Sequence, residues 1–87
     1  MMNRLRPFLV AAQESGFVHA SESHNGTVLW LKHQTTNANS QTHPRICMDS
    51  LTVSATAYWT DSKGNPASKS FRKPLALKEW LAMDPVR

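Results

Sequence analysis

The chain has 87 residues, a net charge of +4, 40% hydrophobic and 18% charged residues. This length supports one domain, residues 1–87, with a modest core and little room for a deep preorganised active site. The hydrophobic content excludes wholesale disorder, and the excess of base suits an anionic partner without choosing between nucleic acid, an anionic membrane and an acidic protein.

Met1 to Arg6 reads as a loose basic start. Pro7 fits the first turn of a helix, where its missing N–H leaves no bond unmade. Phe8, Leu9, Ala11 and Ala12 give that helix an apolar stripe, and Gly16 stops it in a left-handed C′ conformation. The spacing predicts a helix from Pro7 to Ser15.

Phe17 to Gln34 reads as a hairpin around Asn25-Gly26, a pair that accepts the positive φ angles of a type I′ turn. The first arm has weak strand formers (Ala20, Ser21, Glu22, Ser23) and reads as a short edge strand. The second arm carries Val28, Leu29, Trp30 and Leu31, apolar on both faces, and is expected centrally in the sheet or under a helix. Residues 35–44 form a polar loop with nothing that demands burial. Cys47, in the apolar run Arg45-Ile46-Cys47-Met48 entering a strand, is expected as a buried small hydrophobe.

Leu51 to Thr60 alternates cleanly: Leu51, Val53, Ala55, Ala57 and Trp59 on one face, Thr52, Ser54, Thr56, Tyr58 and Thr60 on the other. A hairpin loop of Ser62, Lys63 and Gly64 follows, with Gly64 in the left-handed position. This turn sets Trp59 opposite Ala67 and Ala55 opposite Phe71, which keeps Phe71 on the core face. The same register puts Lys69 on the core face opposite Ala57, so its amine must reach water from an edge. Pro74 opens the last helix, Leu77, Trp80 and Leu81 form its stripe, and Asp84-Pro85 ends it. The expected fold is α+β: a small antiparallel sheet of three to four strands with an N-terminal and a C-terminal helix packed on one face. Trp30, Trp59, Phe71 and Trp80 are the expected core aromatics.

Chemistry is sparse. His19, His24, His33 and His43 lack the spacing of a helical ligand pair, and in the expected hairpin His19 and His33 fall on opposite faces, so no metal site is expected. The carboxylates are scattered and no Gly-rich phosphate loop or nucleophile elbow occurs, so neither an enzyme nor a cofactor is expected. The single cysteine excludes an intrachain disulfide. The early apolar run Phe8 to Ala12 is too short for a signal peptide, and no stretch approaches the roughly 18 apolar residues of a membrane span, so a cytoplasmic protein without membrane contact is expected.

The strongest functional feature is an acid-free window from Ser62 to Lys78 with Lys63, Lys69, Arg72, Lys73 and Lys78. The outward face of the hairpin would carry Thr56, Tyr58, Thr60, Ser68, Ser70 and Arg72. Hydroxyls and Arg suit a phosphate backbone or a groove, so Tyr58, Lys63, Arg72, Lys73 and Lys78 are the candidate contacts to nucleic acid or a nucleoprotein complex. The segment from Ala57-Tyr58-Trp59 through Lys69-Ser70-Phe71 to Leu77-Lys78-Glu79-Trp80-Leu81 resembles small phage proteins that inhibit type I-F CRISPR effectors. That resemblance covers about a third of the chain and implies an inhibitor or scaffold of phage or mobile-element type, docking by surface contacts without catalysis. The helix-strands-helix order also resembles a double-stranded RNA-binding domain, with Arg72-Lys73 where that family has a Lys-Lys cluster. An exposed first arm would also allow a homodimer by edge pairing.

Overall fold

The computed structural model describes residues 4–34 and 43–83. Helix α1 (Arg6–Glu14) is followed by strands β1 (Phe17–Ser23), β2 (Val28–His33), β3 (Arg45–Asp49), β4 (Ser54–Thr60) and β5 (Pro66–Phe71), then helix α2 (Pro74–Ala82). The five strands form one antiparallel sheet in sequence order. The expected class holds, with both helices on one face of an antiparallel sheet, but there is one strand more than the three to four expected. The additional strand is β3, whose Ile46 and Met48 are fully buried.

Recognising β3 also shortens the strand expected from Leu51. Asp49 Oδ1 accepts the backbone N–H groups of Leu51 and Thr52 at 2.8 and 3.4 Å, and Val53 has φ of 50°. A side-chain acceptor that caps its own following residues makes a turn, not a strand. The alternation is therefore real only from Ser54 onward, and Leu51 is 79% exposed.

The core fills the space between sheet and helices. Leu29 and Leu31 of β2, Ile46 and Met48 of β3, Ala55 and Ala57 of β4 and Phe71 of β5 meet Phe8, Ala11 and Ala12 of α1 and Leu77, Trp80 and Leu81 of α2. Trp59 packs partly buried against this cluster, with its ring 5.2 Å from that of Trp80, and Phe71 lies 5.3 Å from Trp80. The two small residues of β4 leave volume that these aromatics and the helices fill. Leu5, expected in a loose start, is fully buried and caps α1, which begins at Arg6.

The β4–β5 hairpin matches its expected register, with Ala55 opposite Phe71, Ala57 opposite Lys69 and Trp59 opposite Ala67. Asp61 Oδ1 accepts the N–H groups of Lys63 and Asn65, each at 2.9 Å, and Gly64 adopts φ of 83°. Lys69 resolves its misfit as expected: β5 is an edge strand, the residue is exposed, and its Nζ lies 6.0 Å from the Phe71 ring centre.

The first hairpin differs from expectation in one residue. Asn25 and Gly26 have φ of 57° and 83°, and Thr27 N–H donates to His24 O, as a tight Asn-Gly turn requires. Pairing then runs Ser23–Val28, Glu22–Leu29 and Ser21–Trp30, but slips at Ala20, so that His19 faces Leu31 and Phe17 faces His33. Such a bulge moves every residue before it to the other face. Without it Phe17 would point away from the helices; with it Phe17 is buried in the core. The bulge also puts His19 and His33 on the same face, contrary to the unbulged expectation.

Around Phe17 the backbone is tight. Gly16 has φ of 91°, and a Cβ there would lie 2.6 Å from Nε2 of His33. The His33 imidazole stacks on His43 at 3.6 Å between ring centres, and both meet the edge of Phe17. The following Pro44 is buried, so the end of the expected polar loop is held by the sheet; residues 35–42 of that loop lie outside the described residues.

Candidate functional site

The helices cover one face of the sheet, and among the described residues no helix or strand covers the other, called here the open face. Strand alternation carries Val18 of β1, Trp30 and Lys32 of β2, Arg45 and Cys47 of β3, Thr56 and Tyr58 of β4, and Ser68 and Ser70 of β5 onto that open face. Trp30 is therefore not a core residue. It sits half-buried on the outer surface, because its neighbours Leu29 and Leu31 take the side the helices cover.

Trp30 is the centre of a cluster drawn from three strands. Its ring lies 5.8 Å from that of Tyr58, inclined by 38°, and the Arg45 guanidinium lies over the indole at 5.5 Å. Register explains the convergence. Trp30 faces Cys47 across β2–β3, and Arg45 faces Tyr58 across β3–β4. The two rings thus lean toward each other across β3, with Cys47 between their strands. Small residues surround them: Thr56 and Ser70 bond to each other at 3.1 Å, and Ser68 faces Tyr58. The aromatic cluster therefore stands over a low polar surround. Tyr58 is 43% exposed.

Cys47 is half-buried on this open face, not in the core as expected. Burial pushes its thiol pKa up, and the negative charge of Asp49 adds to the effect. At neutral pH the group is a protonated thiol, which is a poor nucleophile.

The expected contact residues are spread over the molecule. Tyr58 belongs to the open-face cluster. Lys63 is at the tip of the β4–β5 turn, and Arg72 and Lys73 are exposed in the link between β5 and α2. Lys78 lies on α2, where its Nζ is 3.5 Å from Glu14 Oε2 of α1. Lys69 projects on the helix-side face of the sheet. Contiguity in sequence has not placed the basic window on one surface. Sequence reasoning missed Trp30, Arg45 and Lys32 as surface residues, because the pairing of β2 with β4 through β3 has no local signal.

A groove of about 530 Å³ lies between the two helices, lined by Val10, Ala11 and Glu14 of α1 and Leu75 and Lys78 of α2 among others. No group of three or more His, Cys, Asp or Glu side chains among the described residues is placed to hold a metal ion. No helix among the described residues is long and apolar enough to cross a membrane. Compared with protein-family models, curated proteins and solved structures, the chain matches none.

Proposed function

We propose that the protein is a non-enzymatic binding module that docks a partner protein on the open face of its sheet, as an inhibitor or scaffold. The observation that carries this reading is the cluster of Trp30, Tyr58 and Arg45 at the middle of the uncovered face. Trp, Tyr and Arg are the residue types enriched where protein interfaces concentrate their binding energy. Here they are pre-packed on one another, so docking would immobilise few additional side chains. The surrounding small hydroxyl residues suit a polar rim. A nucleic-acid reading through the basic window has less support, because Lys69 and Lys78 lie on the helix side and Lys78 is paired with Glu14.

The test is capture from nuclease-treated host lysate by three forms of the protein: the parent, a Trp30→Ala/Tyr58→Ser variant, and a Leu75→Ala variant that alters only the helix groove. Circular dichroism establishes that each form is folded. A bound protein retained by the parent and the Leu75 variant, and lost with the open-face variant, is the expected result. Retention of the same proteins by the open-face variant would remove the proposal.

A further inference from the structure

We infer that the open face takes an acidic segment of its partner, with a carboxylate held by Arg45 and an apolar side chain packed against Trp30 and Tyr58; this rests on the docking role proposed above. The argument is one of charge complementarity. The charged residues that strand alternation puts on this face are Lys32 and Arg45 against Asp49. Asp49 offsets one of these two positive charges but forms no ion pair with either cation among the described residues, and its Oδ1 accepts the N–H groups of Leu51 and Thr52. The ion pairs among the described residues are His19–Glu22 and Lys78–Glu14, so neither Lys32 nor Arg45 is neutralised by a carboxylate there. Two cations against one carboxylate leave this face with a net charge of +1, and Lys32 and Arg45 are in no ion pair among the described residues, beside exposed aromatic surface.

The position of Arg45 favours a carboxylate over a nucleic-acid base. A guanidinium above an indole keeps its in-plane N–H donors free, and those donors match the two oxygens of a carboxylate. The same stacking occupies an indole face that a base would need for itself. Two neighbouring cations also match a short acidic stretch better than a phosphate backbone, whose binding draws on many contacts. Nearby hydroxyls of Thr56, Ser68 and Ser70 can donate to the partner's backbone carbonyls or to a second carboxylate.

The three tryptophans make the inference directly readable, since Trp30 is on the open face whereas Trp59 and Trp80 pack with the core. The indole N–H resonances of ¹⁵N-labelled protein would be followed while adding hexaglutamate, hexaglutamine or a decathymidylate strand. The expected result is a saturable shift of the Trp30 resonance with hexaglutamate, weakened by salt, with no shift from hexaglutamine. Arg45→Gln should weaken hexaglutamate binding about tenfold, with the Trp59 and Trp80 signals unmoved as proof that the variant is folded. Stronger perturbation of Trp30 by decathymidylate would overturn the inference in favour of nucleic acid. No movement of Trp30 with hexaglutamate would overturn it too. If capture of a partner still depended on Trp30 and Tyr58 in that case, the docking face would stand and only its acidic preference would fall.

Discussion

The two faces of the sheet are made of different material. The centre of the helix-side face presents buried aliphatic residues, two alanines and Phe71, with Lys69 exposed on the edge strand, whereas the open face presents Trp30, Tyr58, Arg45 and hydroxyls. The core face is filled to suit the helices, so its residues answer to volume. The open face carries its largest side chains where no helix covers them, so they add comparatively little to folding and much to what the surface can grip. An antiparallel sheet with one solvated face is ordinarily polar on that side; an aromatic cluster there is the departure that asks for a functional account.

The largest test of this division is a pair of truncations. Phe71→Ala removes a buried ring that touches Trp80 and should destabilise by about 3–5 kcal/mol. For a chain of this size that is a large share of the total stability. Tyr58→Ala on the opposite face should change stability by less than about 1 kcal/mol, as expected for an exposed site. Urea unfolding measures both. Comparable losses would mean that the open face is a second structural layer, and the functional reading of its aromatics would lose its basis.

A smaller effect is expected where one residue decides which face a side chain joins. Deleting Ala20 removes the unpaired residue and leaves His19 opposite Leu31 and Phe17 opposite His33 in a regular ladder, so Phe17 should stay buried and stability should change by less than about 1 kcal/mol. Ala20→Gly keeps the extra residue and should stay close to the parent. A deletion variant less stable by the roughly 1.5–3 kcal/mol of a buried side chain would show that Phe17 had left the core and that the bulge itself holds it there.

The bulge also marks where sequence reading ends. The turn and register of the β4–β5 hairpin were legible, though not the start of β4, because their signals are local: Asp61 caps the turn, Gly64 takes the positive φ, and alternation from Ser54 fixes the faces. The turn at Asn25-Gly26 was legible for the same reason. The bulge at Ala20 was not, because nothing near Ala20 demands it; the demand comes from burying Phe17 under α1, a tertiary contact. β3 was obscured by its brevity and by the accidental alternation of Leu51 and Val53, which belong to a turn. Trp30 was misplaced because an apolar run on both faces does not say which face the helices will cover. Tyr58 was identified from its own strand, but its neighbours Trp30 and Arg45 become visible only when the register passes through β3.

The smallest predicted effect concerns Cys47, the lone thiol placed between the strands that carry the two open-face rings. Its pKa is raised, first by burial and then by the charge of Asp49. Iodoacetamide alkylation followed against pH should therefore show a midpoint above that of an unhindered cysteine. The sign for stability follows from the same shift. A folded-state pKa above the unfolded value gives a contribution that is full below the unfolded pKa and is lost as pH rises through the folded one. The parent should thus weaken slightly in mildly alkaline solution relative to Cys47→Ser. Trp30→Ala should lower the alkylation midpoint more than Asp49→Asn, because Trp30 sits directly opposite Cys47 and burial is the larger cause. Asn at position 49 retains the oxygen that accepts from Leu51 and Thr52, so this variant changes charge without dismantling the turn. A larger shift from Asp49→Asn would mean that Trp30 does not shield the thiol. The open-face cluster would then be looser than its ring distances imply, and less suited to act as a prebuilt docking surface.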